Sequence, residues 1–312
     1  MEAKVRFVSP LERVLFLRTV FSLRELDTRE MARVAQHTKE RFFRKGARIF
    51  TRGQPVESLH VVVEGRIGVE GAEHGETTMG PQEVLGFLSL LAQWPEGTDA
   101  VAEADTTTLE IDADDMNYML EDSFAHVQLS IRDMAKSMLE ERMEIAEGTY
   151  LAPAEGLLEC PDRELDLVEK LLFLRRGTAL QLANMDSLIE ISQGMVEHRF
   201  RAGEVLWRPG DAGGFVCLLV DGTVECRIEK NGRLFRAGPG YPLGNLESLA
   251  GERRWYTATA EGPIVALRGE TDAFLDILED HFEMTMGFLA AMARGIITVQ
   301  SERRSRETVE VP

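Results

Sequence analysis

Phe200-Arg201-Ala202-Gly203 repeats Phe43-Arg44-Lys45-Gly46, and Leu172-Phe173-Leu174-Arg175 repeats Leu15-Phe16-Leu17-Arg18, both at an offset of 157 residues. The same offset carries Gly53 onto Gly210 and Gly65 onto Gly222. It becomes 158 for Gly80-Pro81 with Gly238-Pro239, Gly86 with Gly244, and Leu120-Glu121-Asp122 with Leu278-Glu279-Asp280, so one residue is inserted between Gly222 and Gly238. A register kept over this many positions marks an internal duplication. The expected organisation is a first domain over 9–148, a linker over 149–166 containing Pro153, Gly156 and Pro161, a second domain over 167–302 and a short tail over 303–312.

Each copy reads as an α+β unit in which helical periodicity gives way to short strands punctuated by glycine and then to a closing helix. Ser9-Pro10-Leu11-Glu12 combines a capping serine, a proline suited to the first turn and a glutamate that reaches back, so a helix is predicted to begin there. Strands are predicted at Leu59 to Val63 and Ile67 to Val69, and at Phe215 to Val220 and Thr223 to Ile228, with Asp221-Gly222 forming a hairpin turn. That hairpin register sets Cys217 opposite Cys226 as unbonded thiols. Phe124 to Met143 and Phe282 to Val299 carry Met, Leu and Ile at three- and four-residue steps and read as long amphipathic closing helices.

Of the 312 residues, 35 are Lys or Arg and 53 are Asp or Glu, a net charge of −18 that argues against phosphate-backbone binding. Residues 51–150 alone sum to −16. No run of about 20 apolar residues stands out as a membrane helix, the opening lacks a signal-peptide layout, and three cysteines make no disulfide framework. A cytoplasmic protein follows, with neither nucleic acid nor membrane as partner, and 29 Arg against 6 Lys suggests a GC-rich bacterial source. The six histidines are scattered, and neither a nucleophile elbow nor a phosphate loop occurs; Gly238-Pro239-Gly240-Tyr241 lacks the Gly-Lys-Ser/Thr that would complete one. Glu57 and His60 lead into a strand rather than sharing a helical face, and Asp112, Asp114 and Asp115 lack the glycine and terminal glutamate of a calcium loop, which leaves a solvated acidic turn. No enzyme, metal or resident cofactor is expected.

The helical lead-in, the Phe-x-x-Gly entry, the glycine-bearing strand-to-helix junction and the closing helix together resemble the cyclic-nucleotide-binding domain family, twice over. The tandem resembles the regulatory subunits of protein kinase A. The resemblance implies an eight-stranded β-roll whose cassette, roughly Phe-Gly-Glu-Leu-Ala-Leu with an Arg six residues beyond, holds a cyclic phosphate at a helix N-terminus while its Glu grips the ribose. In the first copy the cassette falls on Leu85-Gly86-Phe87-Leu88-Ser89-Leu90, which puts Phe87 at the Glu position and Glu96 at the Arg position. A carboxylate about 5 Å from a phosphate repels it by about 3 kcal/mol at an effective dielectric of about 20, so this site is read as degenerate.

The second copy reads Leu243-Gly244-Asn245-Leu246-Glu247-Ser248, with the Arg position on Arg254 and the bulky pair Trp255 and Tyr256 after it. Here two readings stay open: a partly retained site formed by Gly244, Asn245, Leu246, Arg254, Trp255 and Tyr256, or an arginine paired with Glu247 or Glu252 on the surface. The expected function is a ligand-independent regulatory module acting through protein contacts; the alternative is a sensor of a cyclic nucleotide or another small anion in the second roll. Met134 and Met138 in one closing helix, and Met286, Leu289, Met292 and Ile296 in the other, are the expected interaction surface, with self-association through the second.

Overall fold

The computed structural model describes residues 9–20, 23, 26–71, 75–93, 98–145, 148–150, 160–176, 180 and 183–309. The chain divides into two compact units, Met1–Ser130 with Met292–Pro312, and Ile131–Ala291. The division falls inside both long helices.

In the first unit, α1 (Pro10–Leu17) starts where the sequence predicts. Ser9 and Glu12 close a reciprocal capping box around Pro10. A second capping box, Asp27 with Glu30, opens α2 (Thr28–Gln36). Then follow β1 (Lys39–Phe43), β2 (Arg48–Phe50), β3 (Ser58–Glu64), β4 (Ile67–Gly71), β5 (Gly75–Met79), β6 (Val84–Leu85), α3 (Phe87–Ala92), β7 (Thr98–Ala102), β8 (Thr106–Asp112), α4 (Ala113–Asp122) and α5 (Phe124–Ile145). The strands form two four-stranded sheets in the orders β1-β8-β3-β6 and β2-β7-β4-β5. Phe50, Val62, Ile67, Val69, Met79, Leu85 and Ala100 fill the space they enclose. Asp112 is not part of a free acidic turn: its carboxylate caps α4 by accepting from Asp115 N at 2.9 Å.

The second copy repeats this order with β9 (Gly148–Tyr150) ahead of it: α6 (Leu167–Arg176), α7 (Met185–Gly194), β10 (Val196–Phe200), β11 (Val205–Trp207), β12 (Phe215–Asp221), β13 (Val224–Arg227), β14 (Leu234–Ala237), β15 (Pro242–Leu243), α8 (Asn245–Ala250), β16 (Thr257–Ala260), β17 (Ile264–Glu270), α9 (Thr271–Asp280) and α10 (Phe282–Val309). Its sheets run β10-β17-β12-β15 and β11-β16-β13-β14-β9. The duplication is kept at the level of single ladder rungs: Ser58 faces Asp112 in the first roll, and Phe215 faces Glu270 in the second. The 149–166 segment, expected as a plain linker, begins in strand: β9 pairs in parallel with β14, Phe235 facing Gly148, and covers what would be an open sheet edge.

The Asp221-Gly222 turn is not a hairpin. β12 pairs with β15 and β17, whereas β13 pairs with β14 and β16, so the chain crosses from one sheet to the other at Gly222. Cys217 therefore faces Leu243 and Arg268, and Cys226 faces Phe235 and Ala258. The corner uses the same residue a hairpin would, because Gly222 has φ +82° and a Cβ there would meet Pro263 O at 2.5 Å. Both thiols are free and buried in the second roll's core.

The closing-helix stripes are not open surface. Met134, Leu289, Met292 and Ile296 are buried within the chain, and Met138 and Met286 are partly so. α10 buries Met284, Phe288, Leu289, Ala293, Ile296, Ile297 and Val299, residues that lie around most of its circumference rather than on one face. Helix α10 also corrects two other expectations. Phe282–Gln300 is long and apolar enough to cross a membrane by length and composition, with a mean hydropathy of 1.3, although half of that window is buried inside the protein. The helix then continues through the residues expected to be a tail, as far as Val309.

Candidate functional site

In each roll a two-residue strand leads through a glycine in the left-handed region into a short helix: Gly86 (φ +90°) before α3 and Gly244 (φ +79°) before α8. These are the cassettes the sequence picked out. What lies beneath each glycine differs.

Under Gly86 stands the ring of Phe50, which a Cβ on that glycine would meet at 2.8 Å. Phe87 and Leu88 are half-buried on α3, and neither brings a charge. Glu96 lies outside the described residues. Behind Phe50, the buried His60 ring packs against Phe50 and Phe43, with centroids 5.5 and 5.7 Å away. Its Nδ1 is 3.0 Å from Thr108 Oγ1 and its Nε2 is 3.3 Å from Ser58 Oγ. Burial pushes its pKa down from 6.5 to about 4, so the ring is neutral at pH 7. An open groove of about 540 Å³ on the outer face of the β2-β7-β4-β5 sheet is lined by Arg48, Gly68, Glu70, Thr78, Asp99 and Glu103. Arg48 is already paired with Asp99 at 2.6 Å and Arg52 with Glu70 at 3.1 Å, so both cations beside these three carboxylates are already engaged, an environment that disfavours anions.

In the second roll the space under the glycine belongs to Arg254. It is neither on the surface beside Glu252 nor turned out toward a ligand; its side chain is fully buried. The backbone following α8 is pinned by Arg254 N donating to Asp211 O at 3.0 Å and Gly210 N donating to Arg254 O at 2.8 Å. From there the side chain runs inward. Nη1 donates to Gly244 O at 2.6 Å and Nη2 to Phe215 O at 2.6 Å. The guanidinium carbon lies 4.4 Å from the Trp207 ring centroid and 4.6 Å from that of Phe215, two rings set edge to face 5.9 Å apart, so the buried cation sits in an aromatic corner. Ser248 Oγ approaches the same two carbonyls, at 2.7 and 2.8 Å.

Glu247, at the position where the family cassette has alanine, is also buried, with Oε2 at 4.0 Å from Arg254 Nη1. Burial raises its pKa, against the smaller opposing pull of its own backbone N–H, of Arg254 and of the Trp255 indole. Tyr256 is buried within an aromatic cluster, its ring 5.8 Å from Trp207, 5.0 Å from Phe235 and 5.0 Å from Trp255. Asn245 is half-exposed at the first position of α8, and Leu246 is buried. The structure thus brings Gly244, Arg254, Trp255 and Tyr256 close together, with Trp207, Phe215 and the buried Glu247 beside them. One signal for Trp207 was in the sequence: it stands 157 residues after Phe50, the residue that fills the first roll.

Residues 40–123 and 197–281 each match the cyclic nucleotide-binding domain, together more than half of the chain. The chain belongs to the cyclic nucleotide-binding domain family. It carries two such domains in tandem. It is 26% identical over 131 residues to a CRP-like cAMP-activated global transcriptional regulator of Mycobacterium tuberculosis, a stretch that is 40% of this chain and 50% of that protein. The match thus spans about half the length of that curated relative. Among solved structures, it is similar to the regulatory domain of Toxoplasma gondii PKA co-crystallised with cAMP, at 15% identity over 99% of this chain and 98% of that one, TM-score 0.34. It is also similar to the N-terminal domain of a transcriptional regulator from Streptomyces coelicolor, at 23% identity over 45% of this chain and 96% of that one, TM-score 0.35.

Proposed function

We propose that the protein is a non-catalytic, cytoplasmic regulatory module whose two cyclic nucleotide-binding domains act through protein contacts, with no cyclic nucleotide held in either cassette. The observation that carries this reading is the position of Arg254. Its Nη1 and Nη2 are both engaged by backbone carbonyls, and its fully buried guanidinium lies against the Trp207 and Phe215 rings. A phosphate reaching it would have to break two charge-assisted bonds, each worth about 1.5–3 kcal/mol, before forming its own. In the first domain Phe87 offers no ribose acceptor, Phe50 fills the space beneath the glycine, and the −16 charge of residues 51–150 opposes any anion. Neither nucleic acid nor a membrane is a partner in this reading.

A second reading, a small-anion sensor in the second domain, is favoured by one observation: Arg254 stands at the family's phosphate-binding position and still carries its charge. Calorimetric titration of cyclic AMP and cyclic GMP against the full chain separates the two, with no saturable heat expected for the first reading and one site per chain for the second.

A further inference from the structure

Three buried side-chain atoms in the second roll have no hydrogen-bond partner: Trp207 Nε1, Arg254 Nε and Glu247 Oε1. They belong to neighbouring residues, since the Arg254 guanidinium stacks on Trp207 at 4.4 Å and Glu247 Oε2 stands 4.0 Å from Arg254 Nη1. Buried polar groups are normally paired, and a buried charge is tolerated only beside a counter-charge. Glu247 and Arg254 are therefore retained at a cost, and the question is what their juxtaposition does.

The roll has an arginine at a position where a cyclic phosphate would supply the negative charge, and it has a carboxylate inside the same closed space. In the first roll the residue matching Glu247 is Ser89, and Phe50 rather than a cation sits beneath the glycine. Carboxylate and guanidinium thus occur together in the second copy, whereas among the described residues it is the Phe50 ring that lies beneath the other cassette glycine. Glu247 sits in the first turn of α8, one helical turn from the glycine whose carbonyl Arg254 binds. It can hold the arginine inward without any ligand.

We propose that Glu247 is a built-in anion for the second roll: its carboxylate supplies Arg254 with the counter-charge that an anionic ligand would otherwise bring, and so keeps the cassette closed against phosphates. This deepens the reading that the cassette is unliganded and rests on it. No covalent step is involved. The occupant excluded is any small phosphate-bearing anion, and the neutral isostere at position 247 is the residue change that admits it.

The test titrates the full chain and its Glu247→Gln variant with inorganic phosphate and with cyclic AMP, by calorimetry and by the emission of the tryptophans at 207 and 255 that flank the pair. Removing a like charge this close raises anion affinity by about tenfold or more, so the ratio of variant to parent affinity is the readout. A ratio of that size supports the proposal, and a folded Glu247→Gln protein with no gain for either anion overturns it. Binding of cyclic AMP by the parent chain would defeat the unliganded reading, but the ratio would still decide the role of Glu247. Should Glu247→Gln fail to fold, thermal unfolding of Arg254→Met is compared with that of Arg254→Met combined with Glu247→Leu. Recovery of stability in the double variant supports the pairing, and losses that simply add overturn it.

Discussion

Arg254 Nη1 donates to the carbonyl of Gly244 at 2.6 Å, so the cation of the second cassette is bonded to the backbone of that same cassette. The left-handed glycine makes this possible. A Cβ at position 244 would fall inside the guanidinium, so the arginine reaches the carbonyl only because residue 244 has no side chain.

Gly244→Ala is therefore expected to be worse than an ordinary glycine replacement. The left-handed backbone alone costs about 1–2 kcal/mol for an L-residue, and displacing Arg254 adds to it. Gly251→Ala is the control: φ is +70° there too, but nothing lies within 4 Å of its Cβ. Chemical denaturation should rank Gly244→Ala well below Gly251→Ala, and equal losses would show that Arg254 does not depend on the glycine.

Arg254→Ala should destabilise the second domain by about 3–5 kcal/mol, because it strands the buried Glu247 and removes a donor from both Gly244 O and Phe215 O. A cassette arginine that waits for ligand in solvent would cost about 0–1 kcal/mol when removed. Urea unfolding distinguishes the two.

His60 makes stability depend on pH in a defined direction. Above pH 6.5 the folded and unfolded chains both keep the ring neutral. As pH falls, the unfolded chain takes up a proton that the folded chain refuses until about pH 4, so stability is lost across that window. The full shift corresponds to about 3 kcal/mol. His60→Cys, which copies the residue at the matching position of the second roll, Cys217, should flatten the difference between pH 7 and pH 4 relative to the parent. An unchanged slope would place the acid sensitivity elsewhere.

Thiol labelling of the native protein should modify Cys160 and spare Cys217 and Cys226. Burial pushes Cys217 up to about 11 and raises Cys226 well above the usual thiol range, so neither offers thiolate at pH 8. All three should react once the chain is unfolded; rapid labelling of three thiols in the native state would show that the second roll's core is open.

The two rolls were legible in the sequence because their glycines are fixed by backbone geometry. Gly65, Gly86, Gly222 and Gly244 all have positive φ, a requirement that leaves a residue-level trace at constant spacing. The Asp221-Gly222 corner was misread as a hairpin because both kinds of turn ask for the same left-handed glycine, and what selects the corner is Pro263 and Ile264 packing against it from more than forty residues away. Arg254 was recognised at its position but not its orientation. An arginine next to Trp255 and Tyr256 reads as a half-blocked ligand site, whereas its burial is decided by Trp207 and Phe215, on strands the local motif does not contain. The Met-rich closing helices show the same limit, since periodicity finds an apolar face without saying what covers it.

The central claim, that the second cassette is occupied by its own arginine and not by a nucleotide, is tested most directly by calorimetric titration of the full chain with cyclic AMP and cyclic GMP, alongside an Arg254→Glu variant. The account predicts no saturable heat for either nucleotide with either protein. One site per chain in the parent protein, lost in Arg254→Glu, would contradict it.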